Sequence, residues 1–385
     1  MVVISNRRSP RLKDVADAAG VHVSTASRAL NDETATLVSP YTLARVREAA
    51  NGLGYRVNGM ARALKMRRSM SIGMVVPDIT NPFFPPAVRG AEDVLERRGF
   101  SLLLSSTDND PVKARRQVTA MLEGQVDGLI LAMARRDDPL VDELRAGGTP
   151  FVLMNRTIDR GGVSAVVPDD YNGTLQAVEH LYALGHRRIG FVGGPLFTSN
   201  GARRLASFEA AIERLGLPVG GAVEASAFND ASGAVAAARL FDEHPQTRAV
   251  VAGNDLLALG VIDVAAERGL SCPRDLSVVG FNDMLLASRL QPPLTTIHVP
   301  EYDVGARAAD LLLSLVENLG RRPETVLISG ELMVRGSTAP PPPALDNGSV
   351  GAEAETPAAV RPASAATPRR RPRARLDKVV NGVAD

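Results

Sequence analysis

The run Val23-Ser-Thr-Ala-Ser-Arg28 places short hydroxyl side chains and one arginine within two helical turns, directly after Gly20-Val-His22. Such residue types suit duplex DNA, because a helix laid in the major groove sets its exposed N-terminal turns against base edges. Val23 suits contact with a thymine methyl, Ser24 and Arg28 suit hydrogen bonds to bases, and Thr25 and Ser27 suit phosphates, while Ala26, Ala29 and Leu30 face a small core. The same pattern also fits the solvated face of a protein-binding helical bundle, so these residues alone leave both readings open.

The elements that must hold this face are legible around it. Leu12, Val15, Ala16 and Ala19 recur at helical spacing before Gly20, and a second helix is predicted to open near Ser24. Ser39 and Pro40 form an N-cap and first-turn signal, and the stripe Leu43, Val46, Ala50 and Leu53 predicts the buried face of a third helix ending near Gly54. Residues 1–10 therefore read as a flexible start and 11–57 as a three-helix, helix-turn-helix headpiece. Asn58 caps a stretch through Arg67 that is too short to be a stable helix by itself in water, so 58–70 reads as a conditional hinge helix and linker.

From Ser71 the pattern changes to apolar runs alternating with amphipathic helices: Ile72–Val76, Leu102–Leu104, Leu129–Leu131, Val152–Met154, Ile189–Val192, Val250–Ala252 and Val278–Gly280. That alternation predicts parallel sheets with crossover helices. A shift of 117 positions superposes Ile72-Gly73 on Ile189-Gly190, Val75 on Val192, Glu92 on Glu209, Glu96-Arg97 on Glu213-Arg214 and Gly99 on Gly216. Residues 71–338 are thus expected to form two similar doubly wound lobes with a ligand cleft at the carboxyl ends of their strands. Residues 339–385, with Pro340 to Pro343 and the cluster Arg369 to Arg375, read as a disordered tail, its basic cluster a solvated appendage or a source of added non-specific DNA attraction.

Charge divides the chain in the same place. Residues 1–68 hold twelve Lys/Arg against five Asp/Glu, while 69–338 hold 25 against 33, so a basic module precedes an acidic body. At 45% hydrophobic and 23% charged the composition is that of a globular protein, and no apolar run approaches the roughly 20 residues that span a bilayer. Three apolar residues followed by basic ones do not read as a secretory signal, and a cytoplasmic location is expected. The single cysteine, Cys272, has no partner for a disulfide or a metal site and is expected to be inert. Val192-Gly-Gly-Pro195 lacks a dinucleotide fingerprint, and phosphate-loop, nucleophile-elbow and zinc-protease motifs are missing, so neither catalysis nor a cofactor is expected. The five histidines have no metal-ligand spacing, and His186 reads as structural.

The order of several segments then resembles the LacI/GalR family of bacterial repressors. The resemblance rests on Leu12 through Asn31, Val38-Ser39, Arg45 through Ala50, Leu53-Gly-Tyr-Arg56 and Asn58 through Leu64, then Asn81-Pro-Phe-Phe84, Val126-Asp-Gly128, Leu184 through Gly190, Asn254-Asp255, Val278 through Asp283 and Pro293-Leu-Thr-Thr296. It covers about residues 11–338 and implies an α/β body of periplasmic-binding-protein type behind the headpiece. It also implies a homodimer on a pseudo-palindromic operator, with no membrane contact. Asn58, Ala61 and Leu64 join the DNA-reading set on this ground, Leu64 as a wedge in the minor groove, with Arg62, Lys65, Arg67 and Arg68 neutralising phosphates. Val57 departs from the Pro common before the hinge Asn.

The resemblance further implies a small-molecule effector, by family habit a sugar or a sugar-derived metabolite, held by Asn81, Phe83, Phe84, Arg204, Asn254, Asp255 and Asn282. Asn282 stands where sugar-binding members commonly carry Asp, which leaves the ligand open and favours an anion beside Arg204. Phe83 and Phe84 equally suit a core, Asp255 a helix cap, and Asp169 or Asp170 an anchor of the crossover. The competing reading is a sugar-binding receptor without operator recognition.

Overall fold

The computed structural model of the chain describes residues 10–55 and 68–342. The hinge positions Asn58, Ala61 and Leu64, and the basic cluster of the tail, lie outside them.

The headpiece is built on small side chains. Helices α1 (Leu12–Ala18), α2 (Val23–Ala29) and α4 (Pro40–Leu53) surround buried Val15, Ala16, Ala19, Ala26, Ala29, Val46 and Ala50. The tight turn between α1 and α2 uses Gly20 at φ 59°, and a Cβ there would stand 2.9 Å from the Arg45 guanidinium, which donates to the Ala19 carbonyl. Ser39 caps α4 by accepting from the Thr42 N–H, Pro40 starts it, and Gly54 closes it in the left-handed region, as expected. Three details differ. A single turn, α3 (Asp32–Ala35), adds a fourth helix; α2 opens at Val23 because His22 accepts from the Ser24 N–H; and Leu53 is 41% exposed, so Val46 and Ala50 carry the buried stripe.

The body begins with β1 (Ser71–Val76), α5 (Phe84–Arg97), β2 (Ser101–Ser106), α6 (Pro111–Glu123), β3 (Gly128–Leu131), α7 (Pro139–Ala146), β4 (Phe151–Met154) and β5 (Ala165–Pro168). It continues with α8 (Asp170–Ala183), β6 (Ile189–Gly193), α9 (Ser199–Arg214), β7 (Val219–Glu224), α10 (Asp230–Glu243) and β8 (Ala249–Ala252). Next come α11 (Asp255–Glu267), β9 (Ser277–Asn282), a 3-10 turn (Ala287–Arg289), β10 (Thr295–His298), α12 (Glu301–Glu317), β11 (Thr325–Ile328) and β12 (Glu331–Met333).

Two six-stranded sheets result, ordered β11-β5-β4-β3-β1-β2 and β12-β10-β9-β8-β6-β7. The orders correspond strand for strand, which is the three-dimensional counterpart of the 117-residue repeat. Gly99 and Gly216, one shift apart, follow α5 and α9 at φ 77° and 61°. The copies part at one edge, where β11 joins β5 in parallel but β12 joins β10 antiparallel. The chain passes between lobes after β5, after β10 and between β11 and β12, since α8 packs on α9 of the second lobe and α12 on α5 of the first. Ordered packing also runs beyond 338. The Ala339 N–H donates to Ser277 Oγ at 3.0 Å and its carbonyl lies 2.9 Å from His186 Nε2, which fixes His186 in a structural role.

Candidate functional site

On α2 the buried pair Ala26 and Ala29 points inward, which turns Ser24 and Arg28 fully outward and leaves Val23 36% exposed. Thr25 and Ser27 are half-buried at the edges of the same face. His22 was not anticipated here; its Nδ1 lies 2.8 Å from Ser24 Oγ, so it fixes the rotamer of a residue at the helix tip. The outcome is a short, firmly capped helix whose first turns present hydroxyls and one guanidinium.

A small cavity, with about 20 Å³ of free space, lies between the lobes. Its side chains follow a strand's carboxyl end or lie in the first two turns of the next helix, as doubly wound sheets require. From the first lobe come Asn81, Phe83 and Phe84 after β1 and Asn155 and Arg156 after β4. The second lobe adds Asn200 and Arg204 on α9, Phe228 after β7, Asn254 after β8 and Asn282 at the end of β9. Six of the seven expected ligand residues thus meet in one place.

The seventh does not. Asp255 is absent from the lining because the first turn of α11 directs its carboxylate beneath β9, where it accepts from Thr296 Oγ1 at 2.5 Å and the Met284 N–H at 2.6 Å. Nor is it the cap of α11; that is Asn254, which accepts from the Leu257 N–H. Burial pushes the Asp255 carboxyl up to about 7. Glu301, at the start of α12, is raised to about 8, by burial first and then by Asp255 and Asp283.

Phe83 and Phe84 belong to the core and also line the cavity. Their rings meet edge to face at 5.2 Å, they are 3% and 2% exposed within the main core, and they form an apolar wall of the cavity. Arg204 is buried with its Nε donating to Asp170 Oδ1 at 2.8 Å, its Nη1 donating to the Gly253 carbonyl, and its guanidinium stacked over Phe281 at 3.6 Å. Asp170 is therefore the partner of Arg204, while Asp169 caps α8. Burial drives the Asp170 carboxyl upward and the adjacent guanidinium pulls it back. Asn282 sits at φ 110°, a conformation that costs a non-glycine residue about 1–3 kcal/mol and persists only where its surroundings enforce it.

Sequence reasoning missed Asn155, Arg156, Asn200 and Phe228. Asn155 and Arg156 immediately follow the run read as a strand at 152–154, so the strand-end rule used for Asn81 also reaches them. Phe228 follows β7, which was not read at all.

A larger opening, with about 130 Å³ of free space, lies nearby, lined in part by Asp110, Arg115, Arg135, Asp138 and Phe197. Its polar groups are already engaged: Asp110 and Asp138 cap α6 and α7, Arg115 pairs with Glu143, and Arg135 stacks on Phe197. The smaller cavity is the one with unmet hydrogen bonding. Elsewhere, burial pushes the Cys272 thiol up to about 12, consistent with an inert residue.

Residues 11–58 match a family described as bacterial regulatory proteins, lacI family, and residues 178–338 match a periplasmic binding protein-like domain. The ribose operon repressor of Escherichia coli strain K12 is 33% identical over 328 residues, which are 85% of this chain and 99% of the repressor. A crystal structure of the Lac repressor dimer bound to operator and the anti-inducer ONPF has a TM-score of 0.78 at 27% identity, covering 86% of this chain and 100% of that one. A complex of the transcriptional regulator CelR with cellobiose has a TM-score of 0.66 at 31% identity, covering 85% and 99%.

Proposed function

Because the chain belongs to the lacI family of bacterial regulatory proteins, and is a transcriptional regulator rather than an enzyme, we propose that it is an operator-binding repressor controlled by a small effector in the inter-lobe cleft. The headpiece, 11–57, reads bases through Val23, Ser24 and Arg28 and phosphates through Thr25 and Ser27. Asn58, Ala61 and Leu64 of the hinge, 58–70, engage the minor groove. The body, 71–338, holds a sugar or sugar-derived metabolite against Asn81, Phe83, Phe84, Arg204, Asn254 and Asn282.

One observation carries this reading: the chain that bears a capped helix with exposed hydroxyls also closes a polar cavity with side chains from both lobes. Three chain crossings between the lobes supply hinges, so a ligand touching both can favour one lobe arrangement, and that preference is what couples to the hinge segments. Solved regulators similar to this chain hold different sugars, ribose in one and cellobiose in another, so the effector of this chain is set by its own lining. A homodimer is supported by β2, an outermost strand that leaves Leu103 and Leu104 45% and 42% exposed, apolar surface of the kind a second copy covers.

Selection of genomic fragments with the purified protein tests the reading. A pseudo-palindrome should be recovered whose affinity changes with a cleft ligand, and Arg28→Ala should weaken it by about 1–3 kcal/mol, relaxing preference at one base position. Recovery of no specific fragment, with or without metabolites, would favour a plain sugar-binding receptor.

A further inference from the structure

Among the described residues, three buried side-chain polar atoms have no hydrogen-bond partner: Arg156 Nε, Arg204 Nη2 and Asn282 Oδ1. All three residues line the same inter-lobe cavity. Buried polar groups are normally satisfied, so three orphans converging on one space describe what its occupant must supply: acceptors for two guanidinium groups and one donor for an amide oxygen.

Charge narrows the occupant further. Arg204 is matched by Asp170 at 2.8 Å. Arg156, 3% exposed, has no carboxylate partner among the described residues; its Nη1 donates to Asn109 Oδ1 at 3.0 Å and its guanidinium lies 5.9 Å from the Phe228 ring centre. Burial and the like charge of Arg204 together hold its pKa down, to about 10. The remaining amides add donors rather than acceptors. Asn81, Asn200 and Asn254 each commit their side-chain oxygen to a backbone N–H of Phe83, Gly201 or Leu257, which leaves the NH2 groups of Asn81 and Asn200 to the cavity, while that of Asn254 donates to the Phe228 carbonyl at 3.5 Å.

We propose that the cleft is built for a hydroxylated monocarboxylate, a sugar acid, whose carboxylate neutralises Arg156 and whose hydroxyl donates to Asn282. This rests on the cleft being the effector site. Two guanidinium groups and one carboxylate leave a single positive charge, which one carboxylate balances. A phosphate monoester, at about −1.5 to −2 near pH 7, leaves buried negative charge in excess. A neutral sugar fills the donors but leaves the charge of Arg156 buried and unpaired, which is the unfavourable arrangement. The edge-to-face Phe83 and Phe84 give the carbon skeleton its apolar wall.

The test uses the full-length protein and matched probes: D-ribonate with D-ribose, D-gluconate with D-glucose, D-galacturonate with D-galactose, and ribose 5-phosphate. Calorimetric titration should show at least one acid binding about tenfold or more tighter than its neutral counterpart, the range of a charge-assisted hydrogen bond, and Arg156→Gln should erase that preference. A neutral sugar binding as tightly as its acid, or a phosphate binding more tightly than every carboxylate, would overturn the proposal. Arg156→Met gives a measurement without ligand: its melting temperature should equal or exceed that of the unsubstituted protein, and a marked fall would mean that Arg156 is compensated and the proposal wrong. Operator affinity separates the two readings. Acid preference with unchanged operator binding keeps the ligand class and removes its role as effector; operator release by a neutral sugar does the reverse.

Discussion

From the second lobe Arg204 reaches the cleft with Asp170 at 2.8 Å and an aromatic ring beneath it; from the first, Arg156 reaches the same space without a carboxylate partner among the described residues. The sheets behind them share one strand order, so the duplicated framework does not determine the chemistry at the strand ends. The first lobe contributes an apolar wall and an unmatched charge, the second a fixed ion pair and a strained amide. An asymmetric rim of this kind suits an asymmetric ligand, with one charged end and one hydroxylated end.

The strongest way to break the comparison is to delete each arginine in turn. Arg204→Leu should destabilise the body by about 3–5 kcal/mol in urea unfolding, because Asp170 is left buried with neither its charge partner nor its hydrogen bond. Arg156→Met should show no loss or a gain. Equal losses at the two positions would mean that both guanidinium groups are structural and that the lobes do not differ as described.

A smaller effect comes from the acid that opens α12, where the chain crosses between the lobes after β10. Glu301, raised to about 8, binds a proton in the folded chain that it lacks in the unfolded one between about pH 4.3 and 8. Its contribution to stability is therefore complete below the unfolded value and is lost as pH rises through about 8. Glu301→Gln, which removes the titration while keeping the shape, should gain on the unsubstituted protein by on the order of 2 kcal/mol between pH 6 and pH 9. A difference that is flat with pH, measured in paired unfolding titrations, would show that the carboxylate is solvated.

How legible this was depended on whether the signal was local. The caps at Ser39 and Gly54, the spacing of Val15, Ala16 and Ala19, and the buried runs of the central strands are local patterns, and each stands where expected. Some edge elements lacked such patterns: β7 carries Gly220 and Gly221 and β12 is three residues long, so neither shows a sustained apolar run, while the apolar run of β11, Val326 to Ile328, is half solvated. The cleft divided in the same way. Asn81 and Asn254 stand at strand ends and Asn282 rested on the family resemblance; Arg156 also follows a strand, but its burial, beside Phe228 of the opposite lobe, is not a local signal that separates it from the solvated arginines. Asp255 failed for the complementary reason: its position on the rim was right, while the turn of α11 aimed it into the sheet.

The finest test asks whether the lobes are equivalent where the repeat says they are. Gly99 and Gly216 end corresponding helices at φ 77° and 61°, and a Cβ would meet only Met70 Cε at 3.8 Å in the first case and nothing within 4 Å in the second. Neither position is crowded, so alanine should be disfavoured at both by backbone conformation alone, by about 1 kcal/mol each. Matching losses for Gly99→Ala and Gly216→Ala in urea unfolding would place the equivalence of the lobes in their helix ends and their difference in the rim. A gap well above 1 kcal/mol would show that asymmetry begins in the scaffold, and the contrast between Arg156 and Arg204 would then follow from unequal backbones rather than from the side chains carried on equal ones.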